Sequence, residues 1–154
     1  MSNYYDFSRE ITQLKKSNNF KGALDLFVAQ KDDFPKQQIA NDNYIINNII
    51  TSLRKINNAI YVNNFLNEFN ITINEETDEM ILNAYGWTIY DICKLEVSNE
   101  NYNKVKLLNL IKYPIYLLSL RKSDYSYSVI SNIFRLVLKV EKNRLTKRLP
   151  SIRR

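Results

Sequence analysis

The chain holds only two glycines and three prolines among 154 residues, so almost nothing in it obliges the backbone to turn or forbids a helix to continue. Apolar side chains recur at three- and four-residue spacing along nearly its whole length, the period of a helix with one buried face. The best alternating stretch, residues 69–74, is short and bounded by Asn and Glu, and reads as a loop. The fold class expected is therefore all-α, with helices over residues 5–17, 20–31, 38–55, 57–69, 75–97, 101–112, 114–122 and 124–143. The links between them are short, which forces neighbours antiparallel and predicts a row of helical hairpins.

Asparagine supplies the punctuation. Asn18 and Asn19, Asn57 and Asn58, Asn70 and Asn99 fall where the chain must turn, because Asn tolerates the left-handed conformation and caps helices. Pro35 and Pro114 mark expected helix ends. Glu75, Glu76, Asp78 and Glu79 cluster in the expected first turn of the helix over 75–97. Four carboxylates invite a metal-site reading, but anions there complement the positive end of the helix dipole and the helix splays adjacent side chains apart, so the electrostatic reading is preferred.

Histidine is absent. That removes the commonest general base, the Ser-His and Cys-His nucleophile pairs and most zinc or iron sites. With Gly22 and Gly86 alone, neither common phosphate-cradling glycine loop can be written. Cys93 is the single cysteine, so no disulfide can form within the chain and a reducing compartment fits. It shares an apolar helix face with Ile89 and has no neighbour that would activate a thiol, so it reads as a small buried filler. Asp91, Lys94 and Glu96 have the residue types of a carboxylate-and-lysine nuclease, yet on one helix they read as solvent-facing charge pairs. The chain is accordingly read as a non-enzyme with no cofactor and no metal. Its first residues lack a basic segment followed by an apolar one, and the longest apolar run, near residues 115–120, is too short to span a bilayer, so a cytoplasmic location away from membranes is expected.

The formal net charge of +6 is concentrated at one end. Residues 135–154 carry Arg135, Lys139, Lys142, Arg144, Lys147, Arg148, Arg153 and Arg154 against Glu141 alone, whereas residues 1–134 hold 14 basic and 15 acidic side chains. The face of Ile130, Ile133, Val137 and Val140 would next place Arg144 in the core, so amphipathic packing is expected to fade there. The expected organisation is a single helical domain over 1–143 and a basic tail over 144–154.

A hairpin repeats. Ile46, Ile49, Ile50 and Leu53, then Asn57, then Val62, Leu66 and Phe69 match Phe7, Glu10, Ile11 and Leu14, then Asn18, then Ala23, Phe27 and Gln30, with Pro35 after. Leu82, Tyr85, Gly86 and Ile89 begin a third copy, and Ile130, Ile133, Phe134 and Val137 carry the spacing into the last helix. The shift from Phe7 to Ile46 is 39 residues and from Ile46 to Leu82 is 36. Over roughly residues 5–112 this pattern resembles the tetratricopeptide repeat, a helix-turn-helix unit of about 34 residues. Gly86 falls on that family's small first-helix position, and Ala23, Phe27 and Pro35 on its second-helix alanine, aromatic and terminating proline. The resemblance implies a right-handed row of about three antiparallel hairpins plus a C-terminal helix. Residues 8–27 and 82–91 are also similar to the repeat-type helical module of some multidomain bacterial conflict or defence proteins, which implies an accessory role beside effector domains.

In tetratricopeptide-like proteins the first helix of each hairpin lines a concave groove. Carrying those positions over points Ser8, Thr12, Lys15 and Lys16, then Tyr44, Asn47, Thr51, Arg54 and Lys55, then Met80, Asn83, Trp87, Tyr90 and Asp91, then Ser131, Arg135 and Lys139 into it. The partner-binding candidates are Lys15, Lys16, Tyr44, Asn47, Arg54, Lys55, Asn83, Trp87, Tyr90, Arg135 and Lys139. Such a wall is basic and aromatic: amides suit a peptide backbone, and Lys and Arg suit its carboxylates. The function expected is that of a protein-interaction scaffold binding an acidic or extended peptide. The alternative is a helical repeat that binds RNA or single-stranded DNA through aromatic stacking and the basic tail.

Overall fold

A computed structural model describes residues 3–148, with side chains to residue 146. The described residues form eight α-helices and no strand: α1 (Tyr4–Lys16), α2 (Phe20–Gln30), α3 (Lys36–Ala40), α4 (Asn43–Lys55), α5 (Val62–Glu68), α6 (Glu79–Val97), α7 (Lys104–Arg121) and α8 (Asp124–Arg148). Single 3-10 turns at Lys31–Asp33 and Ala59–Tyr61 follow α2 and precede α5.

Short polar side chains start the helices. Asn3, Asn19, Asp42, Asp78 and Asn103 each accept a hydrogen bond from a backbone N–H of the first turn they open, satisfying a donor the helix itself leaves unpaired. Three helices end in one way. Asn18, Asn57 and Asn70 adopt left-handed φ of 63°, 64° and 54°. After each, the next backbone N–H reaches back along the helix, Asn19 to the Leu14 carbonyl, Asn58 to that of Leu53 and Ile71 to that of Leu66. This is the Schellman closure, here with Asn in the glycine position.

Helices α1, α4, α6 and α8 lie side by side, each packed on the next, while α2 packs on α1 and α4, and α7 on α6 and α8. Polar contacts fix the direction of the row. Tyr4 Oη donates to Asp42 Oδ2 at 2.7 Å and Asn48 Nδ2 to Thr12 Oγ1 at 3.0 Å, so α1 and α4 run the same way. Arg54 meets Asp91 between α4 and α6, and Ser126 Oγ donates to Asn83 Oδ1 at 3.1 Å between α8 and α6. Helix α7 runs against α6: Lys106 reaches Glu96 at one end, and Tyr116 and Arg121 reach Glu75 at the other.

Two apolar cores share α6. One joins α1, α2, α4 and α5 to Ile81 and Ala84. The other joins Leu82, Ile89 and Cys93 to α7 and α8. Phe27 touches Phe7, Phe65 and Phe69 at centroid separations of 5.6–6.0 Å, joining α2 to α1 and to the segment of α5. At Gly86 a Cβ would stand 2.8 Å from Val129 Cγ1 and 3.0 Å from Leu118 Cδ1, so the missing side chain is what lets α7 and α8 approach α6.

The structure corrects several boundaries. The helix expected over 38–55 is two, because Asp42 caps α4 and interrupts the chain after α3. Pro35 stands at the N-terminus of α3, beyond the 3-10 turn that follows α2. The helices expected over 101–112 and 114–122 are one. Pro114 lies buried inside α7, where the intrahelical cost of about 3 kcal/mol is offset by tertiary packing. Glu75 and Glu76 precede α6, leaving Asp78 as its cap and Glu79 in its first turn. In α8 the buried residues are Ser126, Val129 and Ile133, and Phe134 points outward at 45% exposure, so the repeat register carried onto that helix is displaced. Helix α8 also continues past residue 143, where Arg144 lies over the Tyr102 ring at 4.6 Å. Residues 149–154 of the expected tail lie outside the described residues.

Candidate functional site

Between α4 and α6 the row opens into a groove of about 480 Å³. Asn47, Thr51 and Arg54 stand one turn apart on α4 and present one face of that helix. Met80, Asn83 and Trp87 do the same on α6. The groove is completed by Glu79, Ala84 and, from the first turn of α8, Tyr125. All six of the α4 and α6 positions named first belong to the concave wall read from the sequence, and Asn47, Arg54, Asn83 and Trp87 are among its partner-binding candidates.

Arg54 is not a free cation. Its Nε donates to Asp91 Oδ2 at 2.7 Å, and the two side chains are 19% and 27% exposed. Its guanidinium also lies 5.8 Å from the Trp87 ring. Trp87 meets Tyr90 edge-on at 5.5 Å, and Lys94 stands 5.6 Å from the Tyr90 ring. The candidates Trp87 and Tyr90 thus form an aromatic strip clamped by Arg54 and Lys94, with Asp91 neutralising the arginine. A second groove of about 440 Å³ lies on the far side of the Arg54–Asp91 pair, lined by Lys55, Asn57, Lys94 and Leu95 among others.

The remaining candidates lie apart from the main groove. Lys15 and Lys16 end α1, and Tyr44, 72% exposed, sits in the first turn of α4. Arg135 and Lys139 are exposed along α8, well beyond the turn that supplies Tyr125. The displacement has a physical cause. Ser126 bonds to Asn83 across 43 residues of sequence, whereas Arg54 meets Asp91 across 37. The 48-residue shift from Leu82 to Ile130, which carried Asn83 onto Ser131, therefore overshoots on α8. Tyr125 and Glu79 are groove residues that the repeat pattern missed. Their only sequence signal is position, each standing at the beginning of its helix.

The polar seam of α1 and α4 is a structural neighbour of this site. Asp42 caps α4 through Oδ1 while its Oδ2 accepts from Tyr4 and, at 3.4 Å, from Ser8. Burial, reinforced by the Asp42 carboxylate, raises the Tyr4 phenol well above its ordinary range. Asn83 accepts from Ser126 through its carbonyl oxygen, which leaves its amide nitrogen directed away from that bond.

The chemically suggestive groups have separate partners. Asp91 is held by Arg54, Lys94 by Tyr90, and Glu96 by Lys106 at 3.3 Å. Cys93 is fully buried, and burial first, with the Glu96 charge second, pushes its thiol up to about 12. Among the described residues no three His, Cys, Asp or Glu side chains converge as a metal cluster, and no helix is long and apolar enough to cross a membrane.

Comparison of the chain with protein-family models, curated proteins and solved structures returns no match in any of the three.

Proposed function

We propose that the chain is a non-enzymatic, tetratricopeptide-like interaction module that holds an extended segment of a partner protein in the groove between α4 and α6. The observation that carries this reading is convergence: two successive first helices of the hairpin row each contribute one amide, one side chain around the Arg54–Trp87 contact and one further side chain to a single open groove. An Asn amide both donates and accepts, so it pairs with peptide backbone whatever the sequence. Asn47 has no side-chain hydrogen bond among the described residues, and Asn83 keeps its donor free of the Ser126 bond. Trp87 and Tyr125 offer apolar platforms beside these amides. Arg54 binds Asp91 through Nε alone, so its terminal nitrogens remain for one carboxylate of the ligand. The preferred ligand is an extended peptide with a single acidic side chain opposite Arg54, rather than a densely acidic one. The stacking of α1, α4, α6 and α8, backed by α2 and α7, supports the hairpin-row reading.

Selection of displayed random peptides on the immobilised chain tests the proposal. Enriched peptides should bind the purified protein and lose at least about tenfold in affinity in the Asn47→Ala, Asn83→Ala double variant, since each lost backbone bond costs on the order of 1 kcal/mol. Single-stranded RNA and DNA oligonucleotides form the competing arm. Saturable oligonucleotide binding abolished by Trp87→Ala, with no peptide enriched, would replace the peptide reading with the nucleic-acid one.

A further inference from the structure

Helix α8 carries a second apolar feature that the groove does not use. Tyr127, Phe134, Leu138 and Leu145 are 47%, 45%, 66% and 60% exposed. Their spacing of seven, four and seven residues returns to the same side of a helix, so they form one straight seam over five turns, roughly 27 Å long. The opposite face, with Ser126, Val129 and Ile133, is buried against α6 and α7. Among the described residues nothing covers the seam. Arg135, Lys139 and Lys142 run along one flank of it, all exposed and, among the described residues, none engaged in an ion pair. Glu141, between Leu138 and Leu145 on the same helix, is engaged by Tyr102, Lys104 and Arg144.

We infer that the outer face of α8 is a docking surface for an amphipathic helix of a partner protein whose apolar edge is bordered by glutamate or aspartate. The dimensions select a helix. The seam is one residue wide, which is the narrow form that pairs with another helix, whereas an interfacial membrane helix presents a broad apolar face with cations on both sides. The charge selects an acidic partner, because three unpaired cations in register with the seam meet carboxylates at the edge of an arriving helix. The same charge disfavours a second copy of this chain: antiparallel two-fold pairing along the seam sets each basic flank against its own symmetry mate. This surface is separate from the α4–α6 groove, so both sites can be occupied together.

The test uses the full chain and two synthetic peptides, each helical with leucine along one edge at the seam's spacing, one flanked by glutamate and the other by lysine. Fluorescence anisotropy of labelled peptide should show the glutamate form binding at least about tenfold more tightly. The Arg135→Glu, Lys139→Glu, Lys142→Glu variant should reverse that preference, and Leu138→Asp should abolish binding of both while leaving the thermal melt unchanged. Equal binding of the two peptides, or a preference that survives charge reversal, overturns the inference. It is also overturned if sedimentation finds a dimer of the free chain that Leu138→Asp dissolves, which assigns the seam to self-association. Co-sedimentation with phosphatidylserine vesicles that Leu138→Asp removes, without a peptide preference, overturns it too and assigns the seam to a membrane surface.

Discussion

Arg54 and Asp91 join α4 and α6 through a 2.7 Å hydrogen-bonded ion pair, and the arginine lies at the same time over the Trp87 ring. The pair therefore sets the separation of α4 and α6 and divides the space between them into two grooves. Asp91→Ala removes one partner from a mostly buried pair and leaves the other charge uncompensated. Urea unfolding should show a loss of about 1–3 kcal/mol. The reciprocal exchange Arg54→Asp with Asp91→Arg should recover part of it, and an unchanged midpoint in Asp91→Ala would deny the pair a structural role.

Asp42 performs two tasks with one carboxylate, capping α4 through Oδ1 and receiving the Tyr4 hydroxyl through Oδ2. Asp42→Ala should cost about 2 kcal/mol, more than Tyr4→Phe, because it removes the cap as well as the interhelical bond. Asp42→Asn keeps an oxygen for the cap and should fall between them. Thermal or urea melts of the three variants rank them directly.

Gly86→Ala tests the close approach of α6 to α7 and α8. In an open helix the change would gain nearly 1 kcal/mol in propensity. Here the new methyl meets Val129 Cγ1 at 2.8 Å, and a β-branched side chain in a helix has little freedom to yield. A net loss of about 1–2 kcal/mol is expected, with partial rescue by Val129→Ala. A stabilised Gly86→Ala would show that the helices have room to spare.

These effects separate what the sequence makes legible from what it hides. Asn18, Asn57 and Asn70 could be read as turns because the left-handed conformation they adopt is a local property of the residue type. Gly86 could be read as a close approach because a glycine inside an apolar helix forfeits helix stability with no return unless a neighbouring helix needs the space. Pro114 was misleading for the complementary reason: the local cost of a proline is overridden by its burial in the fold, which no local pattern reveals. Phe134 and Tyr125 depend on how far α8 slides along α6, a quantity fixed by Asn83, Ser126, Gly86 and Val129 together. Asn47, Asn83 and Trp87 were legible as groove residues because α4 and α6 keep a near-constant offset. Arg54 was legible in place but not in charge balance, since its partner Asp91 comes from another helix.

Alkaline conditions should weaken the fold. Burial raises the Cys93 thiol from 9.0 to about 12 and lifts the Tyr4 and Tyr85 phenols above their ordinary 10.0. The unfolded chain therefore releases these protons first as pH rises, so stability is full below pH 9.0 and declines between there and about 12. At the acid end, Glu141 is held below its ordinary 4.5, chiefly by the Tyr102 hydroxyl, so its contribution is present above that value and is lost as pH falls through the lowered one. Urea midpoints recorded across pH check both limbs. Cys93→Ser should flatten the alkaline limb, and native Cys93 should resist thiol reagents until the chain unfolds.

Trp87 is the chain's single tryptophan and lines the proposed peptide groove, so its emission reports occupancy of that groove. The decisive measurement is a titration of Trp87 fluorescence with peptides enriched by selection on the native chain. A saturable change in emission, weakened about fivefold by Asn83→Ala and indifferent to charge reversal at Arg135 and Lys139, is the predicted result. Peptides that bind tightly without altering Trp87 emission, or whose binding is untouched by Asn47→Ala and Asn83→Ala, would contradict the account.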